Sequence, residues 1–201
     1  TLHGSSAASD VYKRQAYGNP LVLLMLGGFI LAAALERSGA HRRIALYMVR
    51  AFGGTSPRRL VFGFMCASAF LSMWISNTST TLMLLPVALA ALEKTDDMNL
   101  SGPLLLGIAY AASIGGIGTP IGTPPNMVFM GVYTEVTGGA VSFGQWMLWA
   151  IPVVLILLPI AGLWITRGVS KSGGVVLPEA EAWSTAERRV LVIFSITALL
   201  W

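Results

Sequence analysis

The chain has 201 residues, of which 55% are hydrophobic and only 11% are charged. A soluble domain carries about 25% charged residues, and here the charges are missing from four long runs. These runs cover residues 16–35, 60–92, 98–134 and 136–166. Each supplies the ~20 residues that a helix needs to cross a ~30 Å hydrocarbon core. The composition therefore excludes an ordinary soluble domain and predicts an all-α, polytopic membrane protein.

The net charge of +4 does not indicate nucleic acid, because the basic residues lie between the apolar runs rather than along a stripe with aromatics. Cys66 is the single cysteine, and His3 and His41 are isolated. A disulfide framework and a metal-ligand cluster are therefore not expected, nor is an organic cofactor. An enzyme is the least favoured class, since no nucleophile–base pair is visible.

The chain opens with residues 1–15, which are polar and patternless and resemble an adapter-like, non-native leader. Residues 17–35 predict one transmembrane helix with a close-packing point at Gly27-Gly28. Residues 38–57 combine arginines with an apolar face, which predicts a short helix in the membrane interface.

The uncharged run 60–92 is too long for one crossing and too short for two with a turn. A polar cluster, Ser76 to Thr81, lies near its middle. The two apolar arms reach only ~17–24 Å. The run therefore predicts a re-entrant hairpin, whose polar tip is tolerable only inside protein or a wet cavity.

The next run, Met98 to Thr134, has a centre that cannot be regular helix. Gly115 to Asn126 contains three prolines, which remove amide donors, and four glycines, which weaken a helix. The run predicts a helix over 101–136 that crosses the membrane and is unwound at its centre. Residues 142–166 predict a further span with tryptophans near both ends.

The positive-inside rule favours this topology. With the crossing at 101–136, every Lys and Arg after residue 15 falls on the cytoplasmic side, in loops 36–59, 93–98 and 167–189. Residues 167–186 are a predicted cytoplasmic linker, and 187–201 begin a further transmembrane helix that the chain truncates. The expected location is a bacterial-type inner or plasma membrane.

Discontinuous helices can bind ions directly. Unwound carbonyls coordinate a cation, and the N-termini of half-helices attract an anion. Neither break contains a charged residue, and their Ser and Asn oxygens with free carbonyls suit Na⁺. An anion would be held by helix dipoles, amides, Thr78, Thr123 and the bound cation. The helices are expected to restart after Thr78 and after Asn126.

Other interpretations of these motifs are less favoured. Ser and Thr in membrane helices often serve packing alone, and glycines can simply let helices approach. Asn77-Thr78-Ser79 is a glycosylation sequon, but an uncharged run is a poor acceptor site. The Gly-rich stretch lacks the lysine of a phosphate-binding loop. Two polar breaks in consecutive apolar segments favour a binding site.

Two motifs resemble those of a known family. The stretch Ser72 to Thr78 (SMWISNT), followed by Gly115 to Thr119 (GGIGT) and Gly122 to Asn126 (GTPPN), resembles the divalent anion/sodium symporter family. Its members are sodium-coupled di- and tricarboxylate and sulfate carriers. The resemblance covers residues 17–201, roughly the N-terminal half of a member. It implies two inverted repeats, elevator-type motion and a homodimer, with residues 17–59 in the scaffold and residues 60–166 as half of the transport domain. A chain with one repeat would not be expected to transport alone.

The resemblance also assigns roles to residues. The sodium ligands it implies are Ser72, Ser76, Asn77 and Gly122. The substrate contacts it implies are Asn77, Thr78, Thr123 and Pro124. The small anionic partner would be a di- or tricarboxylate or sulfate, and the lipid bilayer is the other expected partner.

The leading hypothesis is therefore uptake of a dicarboxylate coupled to inward Na⁺. The alternatives are a carboxylate exchanger or sulfate transporter of the same family, or another ion transporter such as an arsenite or Na⁺/H⁺ carrier. A proton-coupled carrier would be expected to place a titratable residue within the membrane, and the breaks contain none.

Overall fold

A computed structural model of the chain describes residues 18, 20–53, 56–93, 99–169 and 183–200. Within these residues the chain is entirely helical, without a strand, which confirms the all-α prediction. The leader 1–15 and most of the linker 167–186 lie outside the described residues. The helices are α1 (Pro20–Ser38), α2 (Ala40–Gly53), α3 (Pro57–Ser72), α4 (Asn77–Leu92), α5 (Ser101–Gly116), α6 (Pro124–Thr137), α7 (Phe143–Ile165) and α8 (Thr185–Leu200).

Helices α1 and α2 are separated by a single residue, Gly39, which has a φ of +78°. Glycine adopts this left-handed conformation at little cost, so the chain turns sharply there. Helix α2 then packs on α3 with its backbone in close contact: a Cβ built on Gly63 would lie 2.7 Å from the Cα of Gly53. The aromatic side chains of Tyr47 and Phe52 stay exposed. The position of this helix in the membrane interface stays a prediction.

The centre of the molecule is the packing of α3 against α5. Ser56 caps α3 by accepting a hydrogen bond from the amide of Arg59 (3.4 Å), with Pro57 in the first turn where a missing donor costs little. Phe64 of α3 and Leu104 of α5 are fully buried. The two backbones touch at Gly115, where any Cβ would collide with the carbonyl of Ala69. This contact brings the C-terminal ends of the two helices together.

Two of the helices are long enough to cross a membrane, and the four helices around the breaks are shorter. Helices α1 and α7, with 19 and 23 residues, are long and apolar enough to cross a membrane, and only 11% and 17% of their apolar windows are buried. That low burial does not fit the core helix of a soluble protein. Helices α3 to α6 have 14 to 16 residues each. At ~1.5 Å per residue they reach only about 21–24 Å.

The N-terminal region of α8 is bound to α2 by an ion pair and aromatic contacts. Ser184 and Glu187 form a reciprocal capping box: the carboxylate accepts from the amide of Ser184 (2.6 Å), and the Ser184 hydroxyl accepts from the amide of Glu187 (3.2 Å). Arg43 of α2 donates to the same carboxylate (2.9 Å). Its guanidinium also lies over the ring of Trp183, 5.5 Å from the centroid, and that ring stacks on Tyr47.

This cluster predicts a pH-dependent stability. The amide of Ser184 lowers the pKa of Glu187, against the opposing effect of burial, and Arg43 lowers it further. A lowered pKa stabilises the fold above the unfolded-state pKa of ~4.3, and that contribution is lost as pH falls through the folded-state value. Glu187→Gln should therefore lower the thermal midpoint at pH 7 but not below the folded-state pKa. The exposed Glu135→Gln is the control. An equal loss at both pH values would contradict the expectation.

Candidate functional site

The first break lies between α3 and α4, at residues 73–76. The amides of Trp74 and Ile75 both donate to the carbonyl of Leu71, at 3.0 and 2.9 Å, which tightens the end of α3. Ser76 then caps α4 by accepting from the amide of Ser79 (3.2 Å). The two helices are therefore joined by a turn of only four residues. The break therefore falls just before the predicted polar cluster, of which only Ser76 lies in the turn while residues 77–81 begin α4. The re-entrant path through the membrane stays a prediction.

The second break lies between α5 and α6, at residues 117–123. Asn126 holds it together, because its side-chain amide donates to the carbonyls of Gly116 and Thr119, each at 2.8 Å. The indole nitrogen of Trp146, on α7, donates to the carbonyl of Ile117 (2.9 Å). Several carbonyls that would otherwise lack helical partners are thus satisfied by side chains.

The two breaks touch each other. The hydroxyl of Thr119 donates to the carbonyl of Met73, which joins the turns directly. Gly116 lies against Asn77 so closely that a Cβ on it would be 2.6 Å from Oδ1. A Cβ on Gly122 would in turn lie 2.5 Å from the carbonyl oxygen of Gly116. At Gly122 the obstacle is backbone, so only glycine permits this approach, whereas a side chain at Gly116 would have to displace the Asn77 side chain.

The four predicted sodium ligands occupy this contact unequally. Ser72 is fully buried and its hydroxyl donates a hydrogen bond to Oδ1 of Asn77, so these two oxygens are adjacent. Gly122 is buried and reaches the same region through Gly116. Ser76 is exposed, and one lone pair of its hydroxyl already accepts the capping bond. The structure therefore brings together three of the four and leaves Ser76 at the margin.

The predicted substrate contacts lie on the more open side. Thr78 and Pro124 are exposed, and Asn77 and Thr123 are half-buried. Thr123 is the N-cap of α6, yet its hydroxyl does not cap the helix. Both helix N-termini, of α4 and of α6, therefore present polar groups beside the buried oxygens.

The predicted restart points of both helices were wrong by a few residues. Helix α4 begins at Asn77, not after Thr78, and α6 begins at Pro124, not after Asn126. Gly115 and Gly116 also remain within α5. The physical reason is that proline fits the first turn of a helix, and the side-chain cap of Ser76 fixes the start of α4 at the next residue.

Sequence reasoning missed two residues that build the site. Thr119 and Asn126 are almost fully buried and make the hydrogen bonds that connect the breaks. The available signal was a polar side chain within an apolar run that is rich in proline and glycine, because the carbonyls of an unwound segment need hydrogen-bond donors. Their partners could not be named, since one of them is 46 residues away.

Comparison with known proteins decides the family. A family model described as citrate transporter matches residues 8–201, almost the whole chain. The chain belongs to this family. The resemblance drawn from the two motifs is thereby confirmed, and the family is one of transporters rather than of enzymes.

Two relatives carry more specific names. The sodium-dependent dicarboxylate transporter of Staphylococcus saprophyticus subsp. saprophyticus is 35% identical over 207 residues, covering 92% of this chain and 40% of the relative. The sodium-dependent dicarboxylate transporter of Staphylococcus aureus strain NCTC 8325 is 36% identical with the same coverage. The chain thus spans well under half the length of the relatives that it matches.

Proposed function

We propose that this chain is part of a secondary active transporter that couples Na⁺ entry to uptake of a dicarboxylate or a related divalent anion. The observation that carries the proposal is the contact between the two breaks, where uncharged oxygens come together at the start of α4. Family membership and the names of the relatives support the same activity.

The proposed Na⁺ site uses the oxygens around Asn77. A small hard cation prefers oxygen ligands, and the Ser72 hydroxyl and the Asn77 side-chain carbonyl already lie within hydrogen-bond distance of each other. The Gly122 carbonyl and Ser76 would complete the set. Na⁺ would be transported cargo rather than a resident cofactor. No group of three or more His, Cys, Asp or Glu forms a metal cluster among the described residues, and an oxygen site for Na⁺ needs none.

The proposed anion site has an asymmetry that the sequence did not show. At α4, the first-turn amides of Asn77 and Thr78 have no helical acceptor ahead of them. At α6, Pro124 and Pro125 have no amide hydrogen, and the amide of Asn126 donates to Thr123 (3.1 Å). Helix α4 would therefore supply amide donors, whereas α6 would supply the Thr123 hydroxyl and its dipole. Bound Na⁺ would offset the charge of the anion.

A tricarboxylate is the second candidate substrate, since the family description names citrate. Sulfate uptake, carboxylate exchange, and an arsenite or Na⁺/H⁺ carrier remain further alternatives. The proposal also includes the wider architecture: scaffold 17–59, transport-domain half 60–166, cytoplasmic loops 36–59, 93–98 and 167–189, a homodimer, and elevator motion of inverted repeats.

The test is uptake of labelled succinate and citrate by the complete transporter in proteoliposomes. Saturable succinate uptake is expected when an inward Na⁺ gradient is imposed, and citrate should compete if tricarboxylates are accepted. Replacing Na⁺ with K⁺ should abolish uptake. Uptake that continues unchanged in K⁺ would overturn the sodium coupling, and exchange that needs internal succinate would favour the exchanger.

A further inference from the structure

Helix α1 lies along the second break. Near its start, its apolar side chains pack against a small cluster built on α6. The members of that contact are Leu21, Leu24 and Met25 of α1 with Met127 and Met130 of α6. One turn further on, the same face of α1 presents Gly28, which is buried.

Gly28 is the point of closest approach. A Cβ built on it would lie 2.9 Å from Cγ2 of Ile121 and 3.1 Å from both Cβ and Cδ1. Real Cβ contacts are not this short, so a methyl group here must displace Ile121. The Ile121 side chain is only 9% exposed and lies within the unwound segment. Close-packed interiors offer little free volume to absorb such a shift.

A displacement of Ile121 reaches the proposed ion site in two steps. Ile121 is bonded to Gly122, whose backbone lies against the carbonyl of Gly116. Gly116 lies against Oδ1 of Asn77. The first of these contacts is backbone to backbone and the second is backbone to side-chain oxygen, so a shift of Ile121 and Gly122 would bear on the position of the Asn77 oxygen.

We propose that Gly28 is a positioning residue: its lack of a side chain sets the place of Ile121 and Gly122, and thereby the affinity for Na⁺. The inference rests on the proposed sodium site at Asn77 and Gly122. If Gly28 served helix packing alone, a methyl group would change stability without a selective effect on Na⁺.

The experiment uses the complete transporter with succinate as the probe. Gly28→Ala is expected to raise the Na⁺ concentration for half-maximal uptake roughly tenfold, with the maximal rate at saturating Na⁺ within about twofold of wild type. Gly131→Ala is the matched control. It lies on the same α1–α6 interface, where a Cβ meets Leu21 at an ordinary 3.7 Å. It should leave the Na⁺ dependence unchanged.

Rescue separates positioning from general damage. Ile121→Ala removes Cγ2 and Cδ1, so Gly28→Ala/Ile121→Ala should recover Na⁺ affinity relative to Gly28→Ala. If Gly28→Ala fails to fold, Ile121→Ala alone tests the same contact, because it removes the methyl carbons nearest Gly28, and it should raise the Na⁺ concentration for half-maximal uptake. Unchanged Na⁺ dependence in the folded variants would overturn the positioning role. Wild-type uptake without Na⁺ dependence would instead overturn the proposed function.

Discussion

Asn77→Ala in the complete transporter is expected to reduce sodium-dependent uptake by about 100-fold or more. The Oδ1 atom of Asn77 accepts the Ser72 hydroxyl and touches Gly116, so it sits where the two breaks meet. Losing both an ion contact and a substrate contact, at about 1.5–3 kcal/mol each for charge-assisted bonds, accounts for this factor. Folding should survive, because Asn77 is half-buried and the cap of α4 is Ser76.

Ser79→Ala is the matched control for Asn77→Ala. Ser79 lies in the same turn, and its amide, which alanine keeps, makes the capping bond. Uptake of labelled succinate into proteoliposomes measures the effect, and the thermal midpoint verifies folding. Wild-type uptake by Asn77→Ala would overturn the site assignment.

Asn77→Asp separates the two proposed roles of this residue. The substitution retains an oxygen for Na⁺ but adds a negative charge beside the anion. We expect Na⁺ to raise the thermal midpoint of Asn77→Asp while succinate uptake is lost, because like charges in a desolvated site repel. Loss of the Na⁺ effect as well would show that the geometry, not the charge, is what the variant disturbs.

Asn126→Asp is expected to destabilise the fold by about 2–5 kcal/mol and to abolish uptake. Aspartate has the same shape, but it replaces the amide that donates to Gly116 and Thr119 with an acceptor. Two buried carbonyls then lose their donor, at about 1–3 kcal/mol each, and face a further oxygen. The side chain is 6% exposed, so water cannot substitute.

Thermal unfolding checks this, with a fall of roughly 5–15 °C expected for a chain of this size. Gln145→Glu, the same amide-to-carboxylate change at an exposed position in the first turn of α7, is the control and should stay near the wild-type midpoint. An Asn126→Asp variant with wild-type stability and uptake would show that the second break does not depend on this side chain.

Local sequence features were sufficient to locate the helices and their interruptions. The absence of charge over long runs indicated helices in a membrane, and the prolines and glycines between Gly115 and Asn126 indicated an unwound segment. These effects act within a few residues, so a single chain reveals them. The exact ends were missed because capping by Ser76 and the fit of Pro124 in a first turn move a boundary by several residues.

The sequence by itself therefore determined long apolar helices interrupted by two polar breaks, and its motifs indicated the family. Only the tertiary structure decided that the two breaks touch each other. The packing of α3 on α5 at Gly115 brings Met73 within reach of Thr119 and Asn77 within reach of Gly116. The structure likewise revealed that Gly28 of α1 packs closely against Ile121. These contacts join residues that are far apart in the chain. Periodicity and propensity act locally and carry no information about such pairs, which depend on how whole helices pack.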